Sequence, residues 1–191
     1  KFNKTISIPG DKSISIRIIL IASQAIGKSR AYNLLESGDV KSTINSMKKL
    51  GVDIKKKNNF YEINGLGLNG FDISKKQTLN AGNSGTFARL CCGILARTDK
   101  TIKIVGDKSL SRRDFSRIVR PLQLFGMNFK SNNNRLPLIL KGSKFLRPIY
   151  YEEKKGSSQV KSAIMLASLN TPGTTIIKSV PSRNHTENIF K

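Results

Sequence analysis

Apolar positions along the chain follow two periodicities, which predict helices separated by short strands. Two segments have apolar side chains three or four positions apart, followed by a glycine. They are DVKSTINSMKKLGVDI at residues 39–54 and DFSRIVRPLQLFGMNF at residues 114–129. Glycine at such a position is typical of a helix C-terminus. Each glycine precedes an alternating segment, a polar turn (KKKNN or SNNN) and a second alternating segment (FYEING or LPLILKG). The pattern therefore predicts a helix and then a β-hairpin in both places.

These two segments belong to an internal repeat of about 75 residues. Upstream of each segment, the sequence predicts an apolar helix followed by a strand. These stretches are RIILIASQAIGKSRAYNL, which begins at Arg17, and RLCCGILARTDKTIKIVG, which begins at Arg89. A third copy begins at Lys161 with KSAIMLASLNTPGTTIIKSV and extends through SRNHTE. The repeated unit is strand, helix, strand, helix, hairpin, with two complete copies and a third that is cut. We therefore predict an α/β fold of repeated units around buried helices.

A small loop rich in glycine or serine precedes each predicted apolar helix: PGDKSIS at 9–15, NAGNSGT at 80–86 and KKGSSQ at 154–159. Helix N-termini present free N–H groups and attract anions, and units arranged about a pseudo-threefold axis would gather the loops at one end. Arg17 and Arg89 lie one turn into these helices, where a guanidinium is costly to desolvate unless an anion pairs with it. The loops thus predict a site for a phosphate or carboxylate. The alternative is capped helices whose arginines reach water.

Composition narrows the choice of ligand. The chain has 191 residues, 34 Lys and Arg against 12 Asp and Glu, and a net charge of +22, which favours nucleic acid, an anionic membrane or small anions as partners. Aromatic residues are only 7% and do not alternate with the basic ones, which are spread along the chain. Most lysines are therefore expected on a solvated surface, and a basic nucleic-acid-binding module remains an alternative.

Cysteine use and the two chain ends add further expectations. Adjacent Cys91 and Cys92 lie in the apolar stretch RLCCGIL, so we expect reduced, buried thiols and a cytoplasmic protein. No signal peptide opens the sequence and no apolar run has membrane-spanning length. Because the first residue is Lys and the last lies in a predicted helix, we expect a fragment. No metal constellation is visible, and no metal or cofactor is expected.

Five stretches resemble the motifs of the 5-enolpyruvylshikimate-3-phosphate synthase family in order and approximate spacing. They are PGDKSISIR, GNSGTFARL, GDKSLSRRDF, SSQVKSAIMLASLNTPG and SRNHTE. The resemblance covers the whole chain, which would be somewhat less than half of the family's length. It implies an inside-out α/β barrel in each of two globular domains, with the site between them. Residues 1–10 would form a strand of the second domain, and residues 11–191 most of one three-unit domain.

The resemblance also implies roles for individual residues. Lys12 would be catalytic and would lie between shikimate 3-phosphate and phosphoenolpyruvate. Gly85 would admit phosphoenolpyruvate closely, and it looks like the small-residue form at the place where a bulkier residue would crowd the inhibitor glyphosate. Further candidates in the matching motif are Asn83, Thr86 and Arg89. The shikimate 3-phosphate set would be Lys12, Ser13, Arg17, Ser157, Ser158, Gln159, Ser182 and Arg183, and the phosphoenolpyruvate set Lys12, Gly85, Arg113 and Gln159.

Two positions depart from the family pattern, and the acid/base carboxylates have no counterpart here. Asp114 stands where many members have proline, and Asn184 where many have aspartate. The implied reaction transfers the enolpyruvyl group of phosphoenolpyruvate to the 5-hydroxyl of shikimate 3-phosphate and releases phosphate, as part of aromatic amino acid biosynthesis. The implied full-length protein is a monomer that binds neither nucleic acid nor membrane. The alternative within the same fold is the transferase that uses UDP-N-acetylglucosamine, which typically has Lys-Asn in the first loop, where this chain has Lys12-Ser13.

Overall fold

The computed structural model describes residues 3–73 and 77–191, and its first part contains two helices and one sheet. The Asp11 side chain accepts a hydrogen bond from the Ile14 N–H at 2.8 Å and so caps the first helix. The Ser37 hydroxyl caps the second helix in the same way. Gly51 follows that helix at φ 89°, a left-handed conformation that favours glycine. The elements are α1 (Lys12–Gln24), β1 (Ile26–Tyr32), α2 (Gly38–Lys49), β2 (Asp53–Lys56) and β3 (Phe60–Leu66).

The middle of the chain contains the same order of helix, strand, helix and two strands, preceded by one more strand and interrupted by one short helix. Gly126, at φ 106°, follows the helix predicted after Asp114, as Gly51 does in the first part. The short helix within GDKSLSRRDF was not predicted, because its four residues show no apolar periodicity; the Asp107 carboxylate caps it at the Leu110 N–H. The elements are β4 (Gln77–Asn80), α3 (Gly85–Ile94), β5 (Thr101–Val105), α4 (Lys108–Ser111), α5 (Ser116–Leu124), β6 (Asn128–Lys130) and β7 (Leu138–Lys141).

The last part contains two strands and two helices: β8 (Tyr150–Glu153), α6 (Ser158–Ser168), β9 (Ile176–Ser179) and α7 (His185–Phe190). Among the described residues, strand pairing gives three sheets, with the orders β1-β3-β2, β4-β5-β7-β6 and β8-β9. Strands β4 and β5 are parallel, as are β8 and β9, whereas the other pairs are antiparallel. Both predicted hairpins, β2–β3 and β6–β7, are confirmed.

The helices predicted to be apolar are buried in the core, where α3 packs against both α1 and α6. A Cβ on Gly93 of α3 would lie 2.3 Å from the Ala163 carbonyl oxygen of α6, so only glycine permits this close approach. Cys91 and Cys92 are fully buried and free, as the sequence predicted. Burial raises the pKa of both thiols, that of Cys92 to about 12. No described helix is long and apolar enough to cross a membrane.

Residues 3–10 precede α1, and within the described ranges they pair with no strand. Ile6 and Ile8 are 67% and 70% exposed. The segment joins the rest of the chain at Gly10, where a Cβ would lie 1.9 Å from the Asn33 carbonyl oxygen, so glycine alone fits. Residues 1 and 2 of the predicted strand lie outside the described residues. Membership of residues 1–10 in a second domain remains a prediction.

Candidate functional site

The N-terminal ends of α1, α3 and α6 meet at one end of the core. The Gln159 amide of α6 donates to the Thr86 hydroxyl of α3 at 3.0 Å, which joins the second predicted loop to the third. Serines begin two of these helices: the Ser84 hydroxyl accepts from the Phe87 N–H, and the Ser157 hydroxyl caps α6 in the same manner. The three loops that the sequence singled out are therefore neighbours.

A cavity of about 250 Å³ opens between the starts of α1 and α6. Its polar wall contains hydroxyls, an amide and a guanidinium, all of which can donate hydrogen bonds to an anion. Just before Arg183, the Ser182 hydroxyl oxygen is buried and has no hydrogen-bond partner among the described residues. Five of the six lining residues were predicted for the shikimate 3-phosphate set; the complete lining is Ser13, Gly156, Ser157, Ser158, Gln159 and Arg183.

Arg17 lies behind this cavity and is only 1% exposed. Its Nε donates to the Thr186 hydroxyl at 2.9 Å, Nη2 to the Ser162 hydroxyl at 3.1 Å, and Nη1 to the Ser13 carbonyl at 3.1 Å. The alternative in which this arginine reaches water is therefore wrong. No carboxylate pairs with it in the part of the chain that is described, and desolvation lowers its pKa.

The hydroxyl protons around Arg17 have a single consistent arrangement. Ser162 gives its one proton to the Ser158 carbonyl, which its oxygen approaches to 2.6 Å. Thr186 must then donate to Ser162 across the 2.7 Å that separates their oxygens, while each oxygen accepts from the guanidinium. Neutral oxygens therefore accept the hydrogen bonds of this buried guanidinium, while the nearby charge of Glu187 raises its pKa and that of Arg183 lowers it.

A second cluster of cations surrounds Gly85 at the start of α3. A Cβ at Gly85 would lie 2.6 Å from Arg89 Nη1 and 3.1 Å from Arg113 Nη1. Both guanidiniums therefore extend over the backbone at the place where a side chain would stand. Asn83 orients Arg113 by accepting from its Nη2 at 3.3 Å, and its own amide donates to Asp107 at 2.7 Å.

Arg89 is held between Gly85 and the segment before α5. It donates to the Gly85 carbonyl at 3.2 Å and to the Asp114 carbonyl at 3.3 Å, and its Cζ lies 4.8 Å from the centre of the Phe115 ring. Burial and the neighbouring charge of Arg113 lower the pKa of Arg89. Two like charges so close together favour binding of an anion between or beside them.

Lys12 lies at the start of α1, half exposed, and its Nζ is 3.0 Å from Asp39 Oδ2. This ion pair was not predicted, because Asp39 was interpreted only as the acidic start of α2. Exposed pairs contribute little to stability, so Lys12 can exchange its partner for an anionic ligand at small cost. Within the described residues no group of three or more His, Cys, Asp or Glu side chains is arranged to hold a metal ion.

Comparison with known proteins identifies the family behind this geometry. Residues 1–191 match the family model described as EPSP synthase (3-phosphoshikimate 1-carboxyvinyltransferase). The chain belongs to the EPSP synthase family. It is 45% identical over 190 residues to the 3-phosphoshikimate 1-carboxyvinyltransferase of Streptococcus mutans and 44% identical to that of Streptococcus pyogenes serotype M1. Each alignment covers 98% of this chain and 44% of the relative, so the chain spans less than half of their length.

The fold of an EPSP synthase from Acinetobacter baumannii superposes on 96% of this chain with a TM-score of 0.90 and 35% identity, and the match covers 42% of that protein. The mixed α/β fold is thereby confirmed.

Sequence reasoning missed several side chains that hold the predicted site residues in place. Ser162 and Thr186 hold Arg17, and Glu153 holds the start of α6. A signal for Ser162 was present, since it lies four residues after Ser158 on the same helix face. The partners of Thr186 and Glu153 are distant in sequence or belong to other elements, so no spacing rule would have linked them.

Proposed function

We propose that the protein carrying this chain transfers the enolpyruvyl group of phosphoenolpyruvate to the 5-hydroxyl of shikimate 3-phosphate and releases phosphate. One observation carries the proposal: two adjoining groups of cations, Arg17 with Arg183 and Arg89 with Arg113, lie where three helix starts meet. In the described residues no carboxylate forms an ion pair with any of these four arginines. Such an arrangement suits two anionic reactants held side by side.

In this proposal the cavity between α1 and α6 binds shikimate 3-phosphate. Its phosphate lies near the Ser182 hydroxyl, which has no partner among the described residues, and near Arg183. The hydroxylated cyclohexene ring contacts Ser13, Gln159 and the neighbouring serines. Arg17 supplies positive charge from the buried side of α1. The volume of about 250 Å³ is of the order expected for one small substrate.

Phosphoenolpyruvate lies against Gly85 in this proposal, with Arg113 binding its anionic groups. Asn83 and Arg89 position Arg113 and the adjacent backbone, and Thr86 aligns the two subsites through its hydrogen bond with Gln159. Lys12 lies between the two reactants after it leaves Asp39. Its mobile ammonium group can follow the charge of phosphoenolpyruvate as the reaction proceeds.

The chemistry requires two reactants that repel each other to approach within bonding distance. The 5-hydroxyl oxygen bonds to the phosphate-bearing carbon of phosphoenolpyruvate and loses its proton, while the methylene carbon gains a proton. Phosphate then leaves this tetrahedral intermediate as the methyl carbon loses a proton, which restores the double bond. The arginines and Lys12 lower the repulsion and position the groups, which is the main contribution of this chain. General acid/base groups are expected from the part of the protein that is represented in the longer relatives and not in this chain.

We also propose that the fold consists of three related units about a pseudo-threefold axis, within residues 11–191. The support is that each part of the chain contains one of the buried helices α1, α3 and α6, and that an antiparallel hairpin follows later in the first two parts. The exposed, unpaired residues 3–10 fit a strand that belongs to a second domain. The two free thiols support a cytoplasmic protein, and we expect a monomer at full length.

The decisive experiment measures phosphate release by the full-length protein that contains this chain. Phosphoenolpyruvate is supplied with either shikimate 3-phosphate or UDP-N-acetylglucosamine as acceptor. We expect release only with shikimate 3-phosphate. Release with UDP-N-acetylglucosamine alone, or with neither acceptor, contradicts the proposal.

A lysine substitution tests the role given to Lys12 in the same assay. Lys12→Ala is expected to remove most of the turnover with little effect on folding, because the side chain is half exposed and forms one surface ion pair. Lys28→Ala is the matched control, since Lys28 is equally exposed and is paired with Glu62 on the sheet. Equal rates for the two variants would exclude a catalytic role for Lys12.

A further inference from the structure

Glu153, the last residue of β8, is a buried carboxylate at the edge of the proposed substrate site. Only 4% of its surface is exposed, although it is one of 12 acidic residues in a strongly basic chain. Its Oε2 accepts a hydrogen bond from the Ser157 N–H at 2.7 Å, and its Oε1 accepts from the Lys155 N–H at 3.3 Å. The loop that leads into α6 is therefore folded around this carboxylate.

The position of Ser157 depends directly on this contact. The same residue that donates its N–H to Glu153 caps α6 with its hydroxyl and lines the cavity with Ser158. Gly156 lies between Glu153 and Ser157 at φ 65°, a left-handed conformation that favours glycine and lets the loop turn back toward the carboxylate. Removal of the carboxylate would leave the N–H of Ser157 without its partner and free the loop to move.

Glu153 also contacts the element that carries the second cation cluster. Arg117, in the first turn of α5, donates from Nη2 to Glu153 Oε1 at 2.8 Å. Arg113 and Asp114 immediately precede α5, and the Asp114 carbonyl accepts from Arg89. The carboxylate is thus a bridge between the start of α6 and the start of α5.

Charge explains why a carboxylate can stand beside an anion site. An unpaired carboxylate would repel a bound phosphate, but Arg117 neutralises this one at 2.8 Å. The pair therefore orients backbone N–H groups without adding net negative charge to the cavity. An apolar side chain of similar size would fill the space but would accept none of the three hydrogen bonds.

We propose that Glu153 is a positioning residue that holds the Ser157–Ser158 loop in its ligand-binding form and couples it, through Arg117, to the Arg113 segment. The inference rests on the proposed function, because the loop is assigned to the phosphate-bearing acceptor. Glu153 acts through the loop and through Arg117 and does not itself contact the substrate.

Glu153→Gln tests the proposal in the full-length protein, because it keeps the shape of the side chain and removes its charge. Glu152→Gln is the matched control: Glu152 is the preceding residue, more exposed, and paired with Lys154 and Lys178. Initial rates of phosphate release are measured while one substrate is varied at saturating concentrations of the other. We expect the KM for shikimate 3-phosphate to rise about tenfold in Glu153→Gln, with kcat changed much less, and no change in Glu152→Gln.

Arg117→Ala and the double variant with Glu153→Gln test the coupling. Since both residues act through one contact, their combined effect on KM should be smaller than the product of the separate effects. A purely structural role would instead lower kcat or the amount of folded enzyme and leave the KM for shikimate 3-phosphate unchanged. A KM for shikimate 3-phosphate in Glu153→Gln within twofold of the unchanged protein overturns the proposal.

Hydrogen exchange gives a readout that does not depend on activity. Amides of residues 155–160 should exchange faster in Glu153→Gln than in Glu152→Gln, and unchanged exchange overturns the proposal. If the unchanged protein releases no phosphate from the two substrates, the proposed function fails, whereas hydrogen exchange still decides whether Glu153 holds the loop.

Discussion

The substitution Gly85→Ala adds one methyl group at the point where the two guanidiniums extend over the start of α3. The new Cβ would lie 2.6 Å from Arg89 Nη1, so this nitrogen must retreat by about 0.8 Å to reach an ordinary contact of 3.4 Å. Arg89 cannot withdraw freely, because the Phe115 ring and the Asp114 carbonyl hold it on the other side. Its 3.2 Å hydrogen bond to the Gly85 carbonyl is therefore lost. Arg113 Nη1, at 3.1 Å, must move by about 0.3 Å.

The expected effect follows from these displacements. The shift of Arg113 Nη1 moves it away from the place at which, in the proposal, it binds phosphoenolpyruvate. A hydrogen bond from a charged group contributes about 1.5–3 kcal/mol, and the lower end applies because the displacement weakens this contact without removing it. About 1.4 kcal/mol corresponds to a tenfold change in affinity, so the KM for phosphoenolpyruvate should rise about tenfold in Gly85→Ala. The KM for shikimate 3-phosphate should change little, since that cavity is lined by other residues. Phosphate release with phosphoenolpyruvate varied at saturating shikimate 3-phosphate measures the effect in the full-length protein.

Gly38→Ala is the control for this experiment, because a Cβ on Gly38 meets no atom within 4 Å. It should leave both KM values unchanged. If Gly85→Ala has the same KM for phosphoenolpyruvate as Gly38→Ala, the assignment of the Gly85 surface to phosphoenolpyruvate is refuted. An equal rise in both KM values in Gly85→Ala would also refute it, because the two subsites would then not be separate.

Three further predictions concern buried groups. Thr186→Val leaves the Arg17 Nε–H unpaired, so the free energy of unfolding measured by urea titration should fall by about 1.5–3 kcal/mol, whereas Thr186→Ser should keep most of it; equal values for the two variants would contradict the proposed network. Cys91 and Cys92 should not react with a thiol reagent in the native protein and should both react in urea, because burial raises the pKa of each thiol; rapid native labelling would disprove their burial. Burial opposes ionisation of Glu153, but hydrogen bonds from a backbone N–H and a guanidinium outweigh it and lower the pKa of the carboxyl group below the usual 4.5. The stability that ionised Glu153 adds is therefore present above pH 4.5 and is lost as the pH falls below this value. The stability difference between the unchanged protein and Glu153→Gln should therefore shrink below about pH 4.5, and a constant difference would exclude this contribution.

Local patterns predicted a large part of the fold. Gly51 and Gly126 marked the helix ends correctly because a left-handed residue at a helix C-terminus is a local requirement, and both hairpins followed from alternation and polar turns. The short α4 has too few residues to show a period. Its capping residue, Asp107, also accepts a hydrogen bond from the Asn83 side-chain amide. The order of strands in the sheets could not be read from the chain, because strand neighbours such as β5 and β7 are separated by two helices.

The candidate site was predictable where residues able to bind an anion lie within a few positions of a predicted helix start. Glycine, serine and arginine at the three helix starts identified most of the cavity wall. The side chains that hold those residues were not predictable, because their partners come from other elements: Asp39 for Lys12, Glu153 for Ser157 and Thr86 for Gln159. The contacts of Asp39 and Thr86 depend on how helices pack, and that of Glu153 depends on the turn between β8 and α6; no periodicity of a single segment specifies either.

The hydrogen bond between Arg17 and Thr186 has a consequence for the order in which the molecule can fold. It joins residues 169 positions apart, so it closes almost the whole chain into one loop. During synthesis, at about 5–20 residues per second, roughly 10–30 seconds separate the appearance of the two partners. Throughout this interval α1 carries a guanidinium that lacks two of its final acceptors, since Ser162 is also synthesised late. Helix α1 can therefore complete its burial only after α7 has been made, and the cavity beside α1 can form no earlier than that.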